Sequence, residues 1–325
     1  MKKPHAFVTG IAGFAGSWLA EELLASGFTV SGTLAPGEPT RNIRHLESGL
    51  RLITLDILDQ KKCRRTIARL KPDYIFHLAA IASVGESFQK ERLTFHINFD
   101  GTLNVLDAAR EVRRLKALLF VSSPEVYGRF RPVNKTLKED HPFAPISPYG
   151  ISKAAAENAC QYYFRQHRLP VLIARAFNHG GPRQSDSFAI PSFARQVAAI
   201  EAGKQRPIVK VGDLSARRDL SDVRDIVRGY RLAATRGKAG EVYQLCSGKT
   251  VPIKSVVADL VAMSSRKIRI QTDQSRLRKA DIPVLRGSNR KATQRLGYTI
   301  RYSLKDTLAD TLDYWRTELG ATPGD

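Results

Sequence analysis

The chain has 325 residues, of which 42% are hydrophobic, as expected of a soluble globular protein with one large domain or two smaller ones. No apolar run approaches the ~20 residues that a membrane-spanning helix needs, and no signal peptide opens the sequence, so we expect a cytoplasmic protein with no membrane partner. The net charge of +21 is dispersed along the chain and accompanies no nucleic-acid-binding motif. We therefore expect no nucleic-acid partner, although the charge itself is unexplained. Cys63, Cys160 and Cys246 lack the spacing of a metal site, which predicts reduced thiols and no bound metal.

The first predicted elements are a strand, a glycine-rich turn and a helix. The strand covers 5–9, and Gly10, Gly13 and Gly16 follow it. The helix covers 17–26. In such a turn the glycines permit a tight bend, a close approach of the backbone to phosphates and close packing of the helix, whose N-terminus attracts the anion. We therefore expect a dinucleotide cofactor here. The predicted contacts are Gly10, Ile11, Ala12, Gly13, Phe14 and Gly16.

The end of the second predicted strand, 28–33, bears on the choice between NADP and NAD. An acidic residue at this place normally holds the ribose 2′-hydroxyl of NAD, and the sequence has none there. Arg41 and Arg44 follow shortly and are placed to meet the 2′-phosphate of NADP, although each is equally typical of a surface loop. The sequence therefore favours NADP, in the form of NADPH for a reduction, and leaves NAD open.

The third and fourth predicted strands also end in residues that suit a cofactor. The third strand, 51–55, is followed by Asp56, which either accepts a hydrogen bond from the adenine amino group or caps the next helix. The fourth strand, 73–78, is a continuous apolar run typical of a buried parallel strand, and small residues follow it. The predicted contacts at these two ends are Asp56, Ile57, Leu78, Ala79 and Ala80. A long helix is predicted over 93–110.

Three residues that suit proton transfer follow the fifth predicted strand, 117–121. Ser123 lies just beyond its end, and Tyr149 and Lys153 precede a helix predicted over 154–166. Side chains four residues apart on a helix share a face, so we expect the lysine to lower the pKa of the tyrosine. A phenol of lowered pKa can exchange a proton with a sugar oxygen near neutral pH. The pair means little alone, but the glycine turn upstream gives it a hydride carrier.

Four motifs stand in one order along the chain: the glycine turn 10–16, His77-Leu78-Ala79-Ala80, the segment 122–128, and Tyr149 with Lys153. Together they resemble the extended short-chain dehydrogenase/reductase family, whose members act on nucleotide-activated sugars. The resemblance implies an α/β fold, with a Rossmann doubly wound parallel sheet and a smaller α/β C-terminal substrate-binding lobe. It places the NADP-binding domain at 1–175 and the nucleotide-sugar lobe, with interleaved segments, at 176–325. It also implies a homodimer or homotetramer formed through helices that include the one with Tyr149.

The second half of the chain, after a sixth strand predicted over 171–176, resembles the branch of this family that acts on GDP-sugars. The resemblance covers essentially the whole chain and implies NADPH-dependent reduction of the C4 keto group of GDP-4-keto-6-deoxy-D-mannose to GDP-D-rhamnose. In that reaction Tyr149 would donate a proton, Lys153 would stabilise the tyrosinate and contact the nicotinamide ribose, and Ser123 would hydrogen-bond the carbonyl oxygen.

The site residues implied by the resemblance form two groups. The catalytic group is Ser123, Glu125, Tyr149 and Lys153, of which Tyr149 and Lys153 also contact the cofactor. The substrate-binding group is Ser83, Ser123, Asn178, Arg195, Arg218 and Arg278. Guanidinium groups suit the second group because they bind diphosphates through two parallel hydrogen bonds.

Several alternatives remain open on the sequence alone. A GDP-mannose 4,6-dehydratase would use the same tyrosine and lysine, and Glu125 stands where dehydratases have a glutamate. Against this, Pro124 occupies a place where dehydratases carry Ser or Asp, and the basic loop typical of them after the second strand is missing. A C4 epimerase would differ in returning the hydride to the opposite face of the sugar. A non-enzymatic Rossmann protein that senses NADP or binds nucleic acid would have no need of the proton-transfer residues. The C4 stereochemistry of a product, rhamno or talo, also stays open.

The C-terminal lobe is predicted to contain helices at 256–263 and 304–315 and short strands at 241–245 and 267–270. These elements are too few for a substantial core of their own, so we expect the lobe to share a core with the sheet.

Overall fold

The structure is a computed structural model that describes residues 3–129, 132, 135–276 and 282–321. The strands of the described residues are β1 His5–Thr9, β2 Thr29–Leu34, β3 Leu50–Thr54, β4 Tyr74–His77, β5 Ala117–Ser122, β6 Val171–Ala176, β7 His179–Gly180, β8 Ile208–Val211, β9 Arg217–Asp219, β10 Ser221–Asp222, β11 Val242–Leu245, β12 Thr250–Pro252, β13 Arg269–Thr272 and β14 Val284–Leu285. The α-helices are α1 Phe14–Ala25, α2 Gln60–Leu70, α3 Val84–Ser87, α4 Glu91–Phe95, α5 Gly101–Ala109, α6 Pro148–His167, α7 Ala189–Glu201, α8 Val223–Arg236, α9 Ile253–Ala262, α10 Arg290–Leu296 and α11 Leu304–Leu319. A π-helical turn covers His96–Asp100, and 3₁₀ turns cover Arg44–Gly49, Pro124–Tyr127 and Gln274–Arg276.

A seven-stranded parallel sheet forms the centre of the fold. Its strand order is β11-β6-β5-β4-β1-β2-β3, so successive crossovers run outward in opposite directions from β1 and β4. All six residues of β6 are buried because helices cover both faces of the sheet. This arrangement confirms the predicted Rossmann fold. It also opens a crevice at the carboxyl ends of the strands, where such sheets bind ligands.

Two hydrophobic clusters hold the helices on the sheet. On one face α1 and α8 pack against each other and against the strands, through residues such as Leu19, Leu23 and Val227. On the other face the second cluster joins α2, α5 and α6 to the sheet, through residues such as Ile67 and Leu106. Helix α8 comes from the second half of the chain, so both halves contribute to the core around the sheet.

The predicted strands of the sheet agree with the structure to within two residues, whereas the predicted helices differ more. The helices predicted over 17–26, 256–263 and 304–315 are α1, α9 and α11, each displaced by three or four residues at one end. The helix predicted over 93–110 consists of α4, the π-helical turn and α5, because one turn has a wider hydrogen-bonding pattern. Helix α6 begins at Pro148, six residues earlier than predicted, because the Ser147 side chain caps it by accepting the N–H of Gly150 at 3.0 Å. Tyr149 and Lys153 therefore both lie in α6.

The C-terminal lobe has a core of its own, which corrects the expectation of a shared one. Helices α7, α9 and α11 pack together and bury a cluster that includes Phe193, Val257 and Leu312. Helices α8 and α10 and strand β11 join the core of the sheet instead. The strand predicted over 267–270 is β13, shifted by two residues. All four of its residues are exposed, so no burial pattern fixes its position in the sequence.

The predicted boundary between residues 175 and 176 falls inside β6, and β11 from beyond it completes the sheet. The division into two domains stays a prediction. Across the described ranges, no helix combines the length and the apolar character needed to cross a membrane. The three cysteines are buried free thiols, and the described residues contain no cluster of His, Cys, Asp and Glu suited to a metal ion.

Candidate active site

A cleft of about 1110 Å³ runs along the carboxyl ends of the strands. The glycine turn forms one end of the cleft. The ends of β3 and β4, the start of α6 and the segments after β6 and β8 form the rest. Most residues predicted to bind cofactor or substrate line this one cleft, although they come from distant parts of the sequence.

The glycine turn is shaped to receive a pyrophosphate. Gly10 has a φ of 70°, which favours glycine, and a Cβ on Gly16 would overlap the carbonyl oxygen of Gly10. Helix α1 can therefore start directly against the turn. Its N-cap, Gly13, has no side chain to accept the first N–H groups of the helix, so these remain for an anionic ligand. The turn thus fits a dinucleotide.

Four of the six residues predicted at this turn line the cleft, namely Gly10, Gly13, Phe14 and Gly16. Ile11 and Ala12 are buried beneath it. A Cβ on Gly32 of β2 would overlap the Ile11 side chain, so this side chain packs against the sheet. The structure therefore gives Ile11 a packing position under the turn.

The region after β2 contains the charged side chains that bear on the choice between NADP, which carries a 2′-phosphate, and NAD, which carries a 2′-hydroxyl. Arg41 lines the cleft and its Nη2 lies 3.5 Å from the Tyr314 hydroxyl, whereas Arg44 is exposed and outside the cleft lining. Glu38 also lines the cleft, and one of its carboxylate oxygens accepts the N–H of Ala35 at 2.8 Å. Glu38 was not among the predicted site residues because it lies four residues beyond the strand end.

The ends of β3 and β4 supply the remaining predicted cofactor contacts, Asp56, Ile57, Leu78, Ala79 and Ala80, all of which line the cleft. The Asp56 carboxylate accepts the N–H of Leu58 at 2.9 Å, and it is Asp59 that caps α2. The Thr9 hydroxyl accepts the N–H groups of Leu78 and Ala79 at 3.1 and 3.2 Å. These bonds fix the backbone after β4 at the edge of the cleft.

Ser123, Glu125, Tyr149 and Lys153 meet in the middle of the cleft. The Ser123 hydroxyl lies beside that of Tyr149, and the Lys153 ammonium donates to the carbonyl of Val121 at 2.9 Å. These residues come together because the backbone at the start of α6 closely approaches the backbone of the 3₁₀ turn after β5. A Cβ on Gly150 would lie 2.7 Å from the carbonyl oxygen of Glu125, so the start of α6 rests directly on the 3₁₀ turn after β5.

Burial controls the protonation of the central pair and corrects one prediction. It raises the pKa of Tyr149 to about 12, while the hydrogen bond from Ser123 lowers this pKa and the charge of Glu125 raises it. The expected lowering of the tyrosine pKa by Lys153 is therefore wrong, because the cost of charging a buried phenol dominates. Burial also lowers the pKa of Lys153, to about 8. At neutral pH Tyr149 retains its proton and Lys153 is largely charged.

A buried ion pair lies beneath these residues, one turn of α6 beyond Lys153. The Glu157 carboxylate accepts bonds from Arg175 at 2.8–3.1 Å and from the Ser122 hydroxyl, and both charged side chains are almost completely buried. Arg175 also donates to the Tyr127 hydroxyl at 2.5 Å. The network therefore fastens β6 and the segment around Ser123 to the helix that carries Tyr149 and Lys153.

The residues predicted to bind substrate are only partly brought together. Ser83, Asn178 and Arg218 line the cleft, and Arg218 donates to the carbonyl of Ile282 at 2.7 Å. Arg195 lies outside the cleft lining, where its Nε is 3.3 Å from the carboxylate of Asp186. Arg278 lies outside the described residues.

Several residues that line the cleft were missed by the sequence analysis. Arg183 stacks on Trp18 with its guanidinium carbon 4.1 Å from a ring centroid, and its Nη2 lies 2.6 Å from Glu21. His179 stacks on Phe14, with ring centroids 5.8 Å apart. Both follow Asn178 closely in the segment after β6, and that position was a usable signal. Arg276, Tyr230 and Gln184 also line the cleft, without a comparable signal in the sequence.

A second, smaller cleft of about 510 Å³ lies beside the edge strand β11 and is markedly basic. Lys138, Lys238, Arg290 and Arg295 line it, and none of these four has a carboxylate within salt-bridge distance among the described residues. This cleft accounts locally for part of the positive charge of the chain.

Comparison with known proteins agrees with this geometry. A model of the protein family described as GDP-mannose 4,6 dehydratase matches residues 7–311. The chain is 33% identical over 313 residues to the GDP-6-deoxy-D-mannose reductase of Pseudomonas aeruginosa. This match covers 96% of this chain and 97% of the relative. It is 28% identical over 342 residues to the GDP-mannose 4,6 dehydratase of Homo sapiens, covering 95% of this chain and 91% of the relative.

A solved structure of RMD from Pseudomonas aeruginosa in complex with NADPH superimposes with a TM-score of 0.82 at 31% sequence identity. The match covers 97% of this chain and the whole of that one.

Proposed function

We propose, on the premise that the chain belongs to the GDP-mannose 4,6 dehydratase family, that it is an NADPH-dependent reductase acting on the C4 keto group of GDP-4-keto-6-deoxy-D-mannose. The product would be GDP-D-rhamnose. Membership of the family confirms the resemblance recognised in the motifs and makes the chain an enzyme of sugar nucleotides. The observation that supports the reductase assignment over its rivals is the 33% identity to the GDP-6-deoxy-D-mannose reductase over nearly the whole chain. The protonated Tyr149 beside Ser123 suits this reaction, because reduction of a ketone requires a proton donor at the forming alkoxide.

The residues of the cleft have separate tasks in this reaction. NADPH supplies the hydride when it is bound. Tyr149 donates its proton to the C4 oxygen, and the Ser123 hydroxyl hydrogen-bonds the same oxygen as negative charge develops there. The Lys153 ammonium stabilises the tyrosinate left behind. Asn178 and Arg218 are proposed to hold the diphosphate of the substrate.

The cofactor contacts proposed for this chain follow the lining of the cleft. The turn at Gly10, Gly13 and Gly16 would hold the pyrophosphate, and Arg41 would meet the 2′-phosphate of NADPH. The NADPH complex of the Pseudomonas aeruginosa protein supports this preference. Glu38 in the same region favours NAD, so NAD stays an alternative.

The second candidate function is that of a GDP-mannose 4,6-dehydratase. The Glu125 carboxylate lines the cleft close enough to Tyr149 to raise its pKa, and dehydration needs such an additional acid or base. Pro124 weakens this candidate because its side chain has no proton to give.

A spectrophotometric assay separates these functions. We expect the enzyme to consume NADPH in a one-to-one ratio with freshly generated GDP-4-keto-6-deoxy-D-mannose, and to use NADH more slowly. GDP-mannose without added cofactor should remain unchanged. Conversion of GDP-mannose with no loss of NADPH in the first assay would establish the dehydratase instead. Interconversion of C4 epimers with no net loss of NADPH would point to an epimerase. Nuclear magnetic resonance of the product gives the C4 configuration, for which we expect rhamno.

The pH dependence of the reaction should follow Lys153. Burial lowers the pKa of this side chain to about 8, so the ammonium that stabilises the tyrosinate is lost as the pH rises above that value. We expect kcat/KM to fall about tenfold per pH unit above pH 8. A Lys153→Met variant should be slow at every pH and lack this inflection. A wild-type profile that stays flat up to pH 10 would contradict the role given to Lys153.

We also propose that the chain forms a homodimer or homotetramer. Large apolar side chains are exposed along α4 and α6 and just before α4, namely Phe88, Leu93, Phe95, Ile151 and Tyr162. Helices α4 and α6 pack side by side, so a second copy could cover these residues together. Light scattering should give the mass of two or four chains, and Leu93→Glu should yield a single chain. A wild-type protein of one-chain mass at micromolar concentration would contradict the proposal.

A further inference from the structure

The second cleft, beside the edge strand β11, carries more positive charge than its own carboxylates neutralise. Five cationic side chains and two glutamates line it. Both glutamates are engaged, since Glu241 pairs with Lys291 and a carboxylate oxygen of Glu139 accepts the N–H of Gln244 at 3.1 Å. The other four cations have no salt bridge with any residue that the structure describes, namely Lys138, Lys238, Arg290 and Arg295.

Helix α10 supplies one wall of this cleft with a basic face. Side chains four positions apart lie on the same side of a helix. The lining residues of α10 form two such pairs, namely Arg290 with Gln294 and Lys291 with Arg295. Ala292 and Leu296 of the same helix are buried in the core of the sheet. The packing of α10 therefore holds its charged side toward the cleft.

The other walls are fastened to the buried interior. The backbone carbonyls of Lys138 and Glu139 accept hydrogen bonds from the Tyr127 hydroxyl and from Nη1 of Arg175, both at 2.9 Å. The backbone N–H of Lys238 donates to the hydroxyl of the tyrosine in β11 at 3.1 Å. The cations of the cleft thus stand on backbone that is already ordered, and a ligand would not have to order a loop in order to bind.

We propose that this cleft is a binding site for a small molecule that carries a diphosphate group. Its volume of about 510 Å³ lies within the roughly 300–1,000 Å³ of small-molecule sites. Cations crowded together without carboxylate partners create a positive potential that a polyanion relieves. The guanidinium groups of Arg290 and Arg295 suit phosphate oxygens through paired hydrogen bonds, and the lysine ammonium groups act as point charges.

A diphosphate is favoured over a single phosphate because it can reach cations on opposite walls of the cleft at once. The inference goes beyond the reductase function proposed above, which uses none of these residues. Failure of one would therefore leave the other intact.

Two triple variants with the same change in charge test the site. The cleft variant replaces three of the unpaired cations, by Lys138→Gln, Arg290→Gln and Arg295→Gln. The control variant replaces three cations of α2 that line neither cleft, by Lys61→Gln, Arg65→Gln and Arg69→Gln. All six side chains are exposed, so both proteins should fold as the wild type does.

Calorimetric titration of inorganic pyrophosphate into the NADPH-saturated protein measures binding without turnover. We expect the dissociation constant of one site per chain to rise about tenfold or more in the cleft variant, because three charged hydrogen-bond donors are lost. In the control variant it should stay within about twofold of the wild type. Binding of pyrophosphate in the main cleft is common to all three proteins and drops out of the comparison. Orthophosphate should bind the wild-type site about tenfold more weakly than pyrophosphate.

Titration of GDP distinguishes the two sources of a diphosphate group. If the cleft variant binds one GDP fewer per chain than the wild type, the ligand is a nucleotide. If the cleft variant loses a site for pyrophosphate but none for GDP, the ligand is the free anion.

Three results would overturn the inference. The first is equal binding of pyrophosphate by the wild type and the cleft variant. The second is an equal loss in both triple variants, which would show that pyrophosphate follows the overall charge of the chain. The third is orthophosphate binding as tight as that of pyrophosphate, which would show that no diphosphate is recognised.

Discussion

Replacing Tyr149 by phenylalanine should lower kcat by about 10²–10⁴-fold, the usual contribution of a positioned acid or base. The variant retains the ring that packs at the start of α6 but loses the only proton that we assign to the C4 oxygen. Affinity for NADPH should stay within about threefold, since the glycine turn and the strand ends do not depend on the phenol. Steady-state kinetics with the 4-keto substrate and titration of NADPH measure the two effects separately.

Tyr163 provides the control on the same helix. Its hydroxyl donates to Asp107 at 2.7 Å, and the side chain lies outside the cleft lining. Tyr163→Phe should therefore retain the wild-type kcat. If Tyr149→Phe were as active as Tyr163→Phe, the proton would have to come from another group, and Glu125 would be the first to examine.

Replacing Arg175 by methionine should destabilise the protein by about 3–5 kcal/mol, the usual cost of leaving one partner of a buried ion pair uncompensated. The Glu157 carboxylate would remain buried with only the Ser122 hydroxyl as a partner, and the Tyr127 hydroxyl would lose its bond to the guanidinium. Urea unfolding followed by circular dichroism gives the free energy of unfolding.

Two further variants show whether the loss of stability in Arg175→Met is caused by the burial of the ion pair. Arg64 pairs with Glu111 on the surface, with 67% of the arginine side chain exposed, so Arg64→Met should cost less than about 1 kcal/mol. Combining Arg175→Met with Glu157→Leu removes both charges and should recover at least half of the lost stability. Equal losses for Arg175→Met and Arg64→Met would show that the buried network contributes little.

The sequence predicted the sheet well because its strands are short apolar runs bounded by turn residues. It also placed Ser123, Tyr149 and Lys153, since their motifs stand at strand ends that must converge in a parallel sheet. The three strands of the small sheet β12-β9-β14 carried no such signal. Strand β9 contains Arg217 and Arg218 and has three residues, and its partners β12 and β14 have three and two.

What the sequence could not supply is the degree of burial. Tyr149 and Lys153 are four residues apart in the sequence and share a helix in the structure. Whether the pKa of the tyrosine is raised or lowered nevertheless depends on how much protein surrounds the phenol. For the same reason Glu157 went unnoticed, because a glutamate in a helix usually faces solvent.

The dependence of the sheet on α8 and β11 also has a consequence during synthesis on the ribosome. Helix α1 emerges early, but the helix that covers it, α8, follows about 200 residues later, an interval on the order of 10–40 s at roughly 5–20 residues per second. Edge strand β11 emerges later still. Until then the nascent chain exposes Leu19, Leu23 and the open side of β6. The growing polypeptide is therefore an expected client of ribosome-associated chaperones, and its Rossmann sheet can close only after most of the polypeptide has been made.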